Sequence, residues 1–402
     1  MKIPKILTIL GSTGSIGQSA LEIVNDNPND FNIYALSGYQ NIMLLYKQCL
    51  KFLPKYTIVK DELLAKNLKH KLVAAGCKTT VLFGADKLEK IAGSDTADIV
   101  IAAIVGIAGL KPTYAAIKAG KTILLANKES LISAGKIFIS AVRKYDATLL
   151  PIDSEHSAIF QCLHYNSQKN IEKKIDKIIL TASGGPFYQK KLHELKNITP
   201  KEAVAHPNWK MGKKISVDSS TMMNKALEII EAYWFFSLPV DKIEILIHPE
   251  SIVHSLVKYY DGNFIAQMSI PDMKIPINYA LYYPRRHNIK AQYLDLTKKP
   301  LNFFKLNEQR FKIVSLTRTL LKSENYSSNI VLNAANEILV EAFLEKKIQY
   351  LQIVEYIEQT VNKLDFFQPS NIDDVIDIDL KTKEFINTKF CLNIPLTIYN
   401  QG

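Results

Sequence analysis

The chain has 402 residues, 47% of them hydrophobic and 22% charged, a globular composition too long for one ordinary core, so two or three domains are expected. Its net charge of +11 comes from scattered lysines. The arginines are only Arg143, Arg285, Arg286, Arg310 and Arg318, so the clustered basic stripe of a nucleic-acid binder is missing. The longest apolar run, residues 99–110, contains two glycines and is too short to span a bilayer, and Cys49, Cys77, Cys162 and Cys391 match no zinc or disulfide spacing, which fits a reducing cytoplasm.

Residues 5–10 form a continuous apolar run closed at once by glycine, the pattern of a first strand rather than a signal segment. Similar runs at 31–36, 56–59, 99–104, 122–126 and 147–151 alternate with helical stretches, which predicts a doubly wound, Rossmann-like parallel sheet over residues 1–150. After the first run stands Gly11-Ser-Thr13-Gly14-Ser15-Ile16-Gly17. Glycines between strand and helix permit a tight turn and let a pyrophosphate approach backbone N–H groups at a helix N-terminus. A plain strand–helix turn is the competing reading; position at the chain's first strand favours a dinucleotide. The second strand leads into Ser37-Gly38-Tyr39-Gln40-Asn41, with no acid to bind a ribose 2′-hydroxyl, so NADPH is expected over NADH. Asn127-Lys128-Glu129 follow the 122–126 run, at the strand end where α/β folds place ligands.

Residues 151–286 change character to an α+β domain expected to hold the chemistry. Asp153 and Glu155 flank Ser154; in extended chain both carboxylates face one way and suit a hard divalent cation, whereas in a helix start Asp153 or Ser154 would be an N-cap. Ser183-Gly184-Gly185 and the pair Asn224 and Lys225, with Ser219 just before them, are groups that hold a phosphate. Residues 187–214, with His206, Trp209, Met211 and Gly212 near the end, read as a closing lid. A helix follows, with Asp218, Ser219, Ser220 and Thr221 as N-cap candidates and apolar residues round most of its circumference, so it is buried. Asn224, Glu228 and Glu231 nevertheless form one polar stripe on it, and buried acids require a partner or a metal. Residues 287–308 read as a linker, and 309–402 as a C-terminal helical bundle with helices near 313–322, 330–345 and 349–363.

The motifs GSTGSIG, LLANKES, DSEHSAIFQ, ASGGPF, HPNWKMGKKISVDSSTMMNKALEIIEA, HPESIVHS and LNAANE span nearly the whole chain, which resembles the 1-deoxy-D-xylulose 5-phosphate reductoisomerase family of the non-mevalonate isoprenoid pathway. The resemblance implies a cytoplasmic homodimer that isomerises and then reduces a ketose phosphate with NADPH. It implies a divalent metal (Mg²⁺, Mn²⁺ or Co²⁺) on Asp153, Glu155 and Glu228. It further implies cofactor contacts from Gly11, Thr13, Gly14, Ser15, Ile16, Gly17, Ser37, Gln40, Asn41, Asn127, Glu129 and Gly212. Substrate would meet Lys128, Ser154, Glu155, Ser183, His206, Trp209, Ser219, Asn224, Lys225 and Glu228, with Lys128 and His206 in the catalytic set. Glu231 would support the metal cluster.

Two positions depart from the family pattern. Gln40 stands where a lysine usually helps bind the 2′-phosphate, leaving Ser37 and Asn41 to retain NADPH preference, and Glu250 stands where a glutamine is expected. Two other readings fit the first domain alone: a simple NAD(P) dehydrogenase, which would work without a divalent ion, and a dinucleotide-sensing regulator, which would not need Lys128, Asp153 and Glu228. Neither explains acids on a buried helix.

Overall fold

Short apolar β-branched runs buried on both faces form a parallel sheet only if helices cover them. The computed structural model, which describes residues 3–163, 173–205 and 212–396, has that arrangement. Strands β1 (Lys5–Leu10), β2 (Phe31–Ser37), β3 (Tyr56–Val59), β4 (Thr80–Phe83), β5 (Ile99–Ala102), β6 (Thr122–Leu125) and β7 (Thr148–Pro151) alternate with helices α1 (Ser15–Asp26), α2 (Ile42–Phe52), α3 (Glu62–Ala74), α4 (Ala85–Ala92), α5 (Leu110–Lys118) and α6 (Lys128–Lys144). The sheet order is β4-β3-β2-β1-β5-β6-β7, all parallel. Connections leave β1 to one side and return beyond it to β5. A crevice therefore opens at the carboxyl ends of β1 and β5, the switch point where such folds bind ligands. Strand β4 was not visible in the sequence: it is a half-exposed edge strand of four residues with no long apolar run.

Helix α7 (Ser154–Cys162) leads to a second sheet of β8 (Ile175–Ala182), β9 (Ile243–Ile247), β10 (Val253–Tyr259), β11 (Phe264–Met268) and β12 (Phe304–Lys305), in the order β11-β10-β8-β9-β12. Only β8 and β9 run parallel; the other pairs are antiparallel. Between β8 and β9 lie α8 (Pro200–Ala203), α9 (Lys213–Ser220) and α10 (Met223–Phe236). Helix α11 (Lys274–Tyr282) returns to the first domain, where Ile277, Ala280 and Leu281 join the core around Leu7 and Ile9 and Lys5 Nζ donates to Leu281 O at 2.9 Å. The stretch read as a linker also contributes β12, which pairs with β9. Its polar composition hid two residues held by backbone bonds alone.

The C-terminal unit comprises α12 (Lys312–Lys322), α13 (Ser327–Leu344), α14 (Tyr350–Lys363) and α15 (Ile372–Phe390). Its apolar faces and those of α6, α10 and β8 merge into one core, so the bundle backs the catalytic region rather than hanging from it. No helix among the described residues is long and apolar enough to cross a membrane.

Candidate active site

The cofactor loop is built by backbone constraints. Gly11 has φ +83°, and a Cβ there would sit 2.6 Å from Ala103 O, at the end of β5. A Cβ on Gly17 would meet Gly11 O at 2.5 Å, so this glycine lets α1 pack onto its own entry loop. Helix α1 starts after Gly14 with no side-chain cap and no acid in its first turn. Its leading N–H groups thus fit an anionic pyrophosphate. The loop is tied to β2: Gly11 N donates to Ser37 Oγ at 2.8 Å and Ser12 N to Ser37 O at 2.8 Å. Asn41 Oδ1 accepts from Leu44 N at 3.1 Å as the cap of α2. Ser37 and Asn41, expected to face the cofactor, therefore have structural partners of their own.

Asn127 is 2% exposed and caps α6, its Oδ1 accepting from Ser130 N at 2.8 Å. Its amide donates to Gly106 O at 2.8 Å and to Ile104 O, pinning the loop after β5. Glu129 lines the same cleft as Gly14, Ser15 and Ile16 and accepts from Lys214 Nζ of α9 at 3.1 Å.

A cleft of about 1340 Å³ runs from Gly14, Ser15 and Ile16 past Lys128 to Ser183, Ser219, Asn224 and Lys225. At its floor the buried α10 meets the start of α7. Asp153 is the N-cap residue of α7 but makes no capping bond; its carboxylate instead pairs with Lys128 Nζ. Lys128 Nζ also lies 3.0 Å from Asn224 Oδ1 and 3.6 Å from Glu228 Oε1. Lys225 Nζ pairs with Glu155 Oε1 at 2.9 Å and with Glu228 Oε2, and Asn224 Nδ2 donates to Glu228 Oε1. Ser154 Oγ donates to Glu155 Oε2 at 2.6 Å. Three carboxylates and two lysines thus form one interleaved cluster, with Glu228 fully buried.

Electrostatics follow from this packing. Burial, then the charge of Glu155, pushes Glu228 up to about 8, against the pull of Lys225. Burial also opposes ionisation of Asp153 and Lys128, but their mutual attraction outweighs it, so Asp153 lies well below the carboxylate range and Lys128 well above the usual lysine value. Oxygen atoms of Asp153, Glu155 and Glu228 lie within 4.8 Å of one another. A set of hard oxygen donors whose like charges repel fits a divalent cation such as Mg²⁺ or Mn²⁺.

Glu231 belongs to a second cluster that sequence reasoning did not assemble, with Asp153 and His156. His156 Nε2 is 3.0 Å from Glu228 O, which can only accept, so the ring donates there and Nδ1 is left to accept. Burial holds His156 down to about 4 and pushes Glu231 well above its ordinary value. The Glu231 carboxyl, 3.4 Å from Nδ1, is the available donor. The signal was in the sequence: His156 lies three residues after Asp153, one helical turn, and Glu231 three after Glu228.

Ser183, Ser219, Asn224 and Lys225, expected to hold a phosphate, all line the cleft. Gly185 has φ +67° and a Cβ there would lie 2.8 Å from Ser219 O, so the Ser183-Gly184-Gly185 turn docks on the end of α9. The expected N-caps Asp218, Ser219 and Ser220 instead lie inside α9, and α10 begins after Met222 in the left-handed conformation (φ 65°) with no side-chain cap. The predicted helix is α10, and the residues expected to cap it form the last turn of a separate, unexpected helix, α9. Glu250 bonds Asn302 Nδ2 through Oε1 at 2.6 Å, and its Oε2 lies 3.1 Å from His248 Nδ1; it holds the segment before β12. His206, Trp209 and Met211 lie outside the described residues.

A doubly wound nucleotide fold opening onto a carboxylate-and-lysine cleft with a phosphate-type end defines a metal-assisted dinucleotide enzyme for a phosphorylated small molecule. Comparison with known proteins makes this particular. The family model for 1-deoxy-D-xylulose 5-phosphate reductoisomerase matches residues 7–135, that of its C-terminal domain residues 149–236, and a further DXP reductoisomerase C-terminal domain residues 268–385. The chain belongs to the 1-deoxy-D-xylulose 5-phosphate reductoisomerase family. It is 53% identical over 382 residues to that reductoisomerase of Francisella tularensis subsp. novicida (strain U112), covering 95% of this chain and 98% of the relative. The Burkholderia vietnamiensis (strain G4 / LMG 22486) enzyme is 50% identical, over 93% of this chain and 94% of its own. The Zymomonas mobilis enzyme solved with NADPH superposes with a TM-score of 0.90 at 42% identity, covering 97% of this chain and 99% of that one. A DOX-P reductoisomerase solved with NADPH, fosmidomycin and magnesium also gives 0.90 at 42% identity, covering 96% and 98%.

Proposed function

We propose that Asp153, Glu155 and Glu228 hold the divalent ion, Mg²⁺, Mn²⁺ or Co²⁺, with which this chain converts 1-deoxy-D-xylulose 5-phosphate to 2-C-methyl-D-erythritol 4-phosphate using NADPH. The observation that carries the reading is the interleaving of those acids with Lys128 and Lys225 in the cleft that begins at the N-terminus of α1. When bound, the ion supplies Lewis-acid polarisation of the substrate's ketone and adjacent hydroxyl, and NADPH supplies hydride. The chain's own groups then have distinct tasks. Gly11 to Gly17 receive the cofactor pyrophosphate. Ser183, Ser219, Asn224 and Lys225, with His206, grip the substrate phosphate and hold the fragments together during rearrangement. Lys128 and Ser154 face the reacting hydroxyls, and Lys128, kept protonated by its acids, donates to developing negative charge. Trp209 and Met211, expected to close over the substrate, lie outside the described residues, and Gly212 lines the cleft.

The chain acts as a homodimer. Edge strand β11 supports this: its outer edge has no partner strand among the described residues, so another strand could pair there, and Phe264, Ile265 and Met268 along it are 54%, 42% and 41% exposed. Sedimentation equilibrium of Ile265→Asp should then give monomer where the unaltered chain gives dimer. The reaction belongs in the cytoplasm, where Cys49, Cys77, Cys162 and Cys391 stay as free thiols; cell fractionation checks this.

The defining assay follows NADPH oxidation with 1-deoxy-D-xylulose 5-phosphate. Turnover should need Mg²⁺ or Mn²⁺, stop on chelation and return when metal is restored. Turnover unaffected by chelator would instead indicate a simple dehydrogenase.

A further inference from the structure

In a doubly wound fold, the loop after the second strand meets the ribose that distinguishes NADPH from NADH. Here that loop, residues 38–41, contains no lysine or arginine. Two neighbouring oxygens already accept backbone bonds, Ser37 Oγ from Gly11 N and Asn41 Oδ1 from Leu44 N, which leaves only their neutral O–H and N–H groups to donate. Gln40 is exposed but uncharged. A phosphate dianion recognised only by neutral donors would give a weak preference, because bonds to charged groups are roughly twice as strong as neutral ones.

The adjacent strand supplies a cation. Strands β2 and β3 run side by side, Ser37 opposite Ile58, and Gly38 N donates to Ile58 O at 3.0 Å. Lys60 therefore leaves β3 beside the loop after β2. Its Nζ sits 5.1 Å from the centre of the Tyr39 ring, itself 48% exposed. No carboxylate among the described residues pairs with Lys60. Its neighbour Asp61 caps α3 through a bond from Leu64 N at 2.9 Å, and Glu62 pairs with Lys66. A packed glycine fixes the loop's position: a Cβ on Gly38 would meet Thr13 Cγ2 at 3.1 Å and Leu45 Cδ2 at 3.2 Å. Thr13 belongs to the pyrophosphate loop, so Tyr39 and Lys60 lie on the side of that loop where the adenosine half belongs.

We propose that Lys60, steadied by the Tyr39 ring, is the residue that selects NADPH over NADH in this chain, doing from β3 what the loop after β2 does not do. The ammonium is a mobile point charge, suited to a phosphate that needs charge rather than a fixed fork. The inference rests on the first domain's NADPH reading. Binding is measured directly, by the fluorescence of NADPH and NADH and by calorimetry with 2′,5′-ADP against 5′-AMP. In Lys60→Ala, NADPH and 2′,5′-ADP should weaken roughly 10- to 100-fold, the range of a lost charged hydrogen bond. NADH and 5′-AMP should change less than about twofold, which also shows that the fold is intact. Tyr39→Ala should give a smaller loss in the same direction, and Gln40→Lys added to Lys60→Ala should restore the preference. An unchanged ratio of NADPH to NADH affinity in Lys60→Ala, or an equal loss of both, overturns the role of Lys60. If the unaltered chain binds neither nucleotide, it is the NADPH reading itself that fails.

Discussion

Glu228 and Glu231 occupy the same buried helix face one turn apart, yet their surroundings assign them different states. Glu228 touches Lys225 and lies 3.6 Å from Lys128, and its elevated value of about 8 results from burial and from crowding by Glu155 and Asp153. A cation in the cluster would reverse that crowding and favour the carboxylate. Glu231 pairs with no lysine among the described residues; burial and the charge of Asp153 push it well above its ordinary value, and its carboxyl lies 3.4 Å from His156 Nδ1. Glu228→Gln should therefore remove a proposed metal ligand and lower kcat by orders of magnitude, with a weaker Mg²⁺ activation constant. Glu231→Gln keeps both shape and a donor, so Mg²⁺ activation should stay within a few-fold of the unaltered chain. Titrating Mg²⁺ against turnover for the two variants separates them; equal damage would make Glu231 a ligand as well. The sequence displayed both acids as one stripe. It could not divide them, because the division depends on His156, Lys128 and Lys225, which reach them from two other segments.

Elements with a long periodic pattern were readable, and elements defined by their neighbours were not. The α1 loop and six of the seven strands of the parallel sheet follow from apolar runs and glycine spacing. Strand β12 depends on pairing with β9, and helix α9 is a short, mostly polar segment; neither has a strong local signature. Helix α15 went unread for a related reason: it is rich in Asp and Lys, and its buried face includes Asp379 and Lys383. Asp379 lies against Lys383 Nζ at 2.8 Å, and the same Nζ is 2.8 Å from Glu337 of α13. Burial, reinforced by the charge of Glu337 and opposed by Lys383, raises Asp379 to about 7. A carboxyl titrating near 3.8 when unfolded and near 7 when folded binds its proton more tightly in the folded state. Between those values the folded chain holds the extra proton, so this group makes stability fall as pH rises through the window. Asp379→Asn should accordingly raise the urea midpoint at pH 8.5 by more than at pH 5. The opposite order would mean that the Lys383 pair dominates.

At the scale of the molecule, the cleft is assembled from three units, and the helical C-terminal one reaches it only from behind. Asn336 of α13 donates to Asp218 Oδ1 at 2.9 Å, and Tyr350 of α14 donates to Ser220 O at 2.7 Å. The other oxygen of Asp218 is 3.0 Å from Lys214 Nζ, which continues to Glu129 of α6 at 3.1 Å. Helix α9 is thereby clamped between α6 and α13, and its last turn carries Ser219, the proposed phosphate ligand. Asp218, Asn336 and Glu129 are buried, so a broken bond in this chain of contacts leaves a desolvated group rather than a hydrated one. Replacing Asn336 with Leu should cost about 1–3 kcal/mol of stability, the penalty for a buried acceptor stripped of its donor. It should also loosen the seat of Ser219 while leaving Asp153, Glu155 and Glu228 in place. Kinetics should therefore show KM for the phosphorylated substrate rising more than kcat falls, with Mg²⁺ activation unchanged. A matched fall in kcat with constant KM would place the influence of α13 on the metal end of the cleft instead. The motif LNAANE contains Asn336, but its partner Asp218 is more than a hundred residues away, so only the folded chain gives that asparagine a reason to be there.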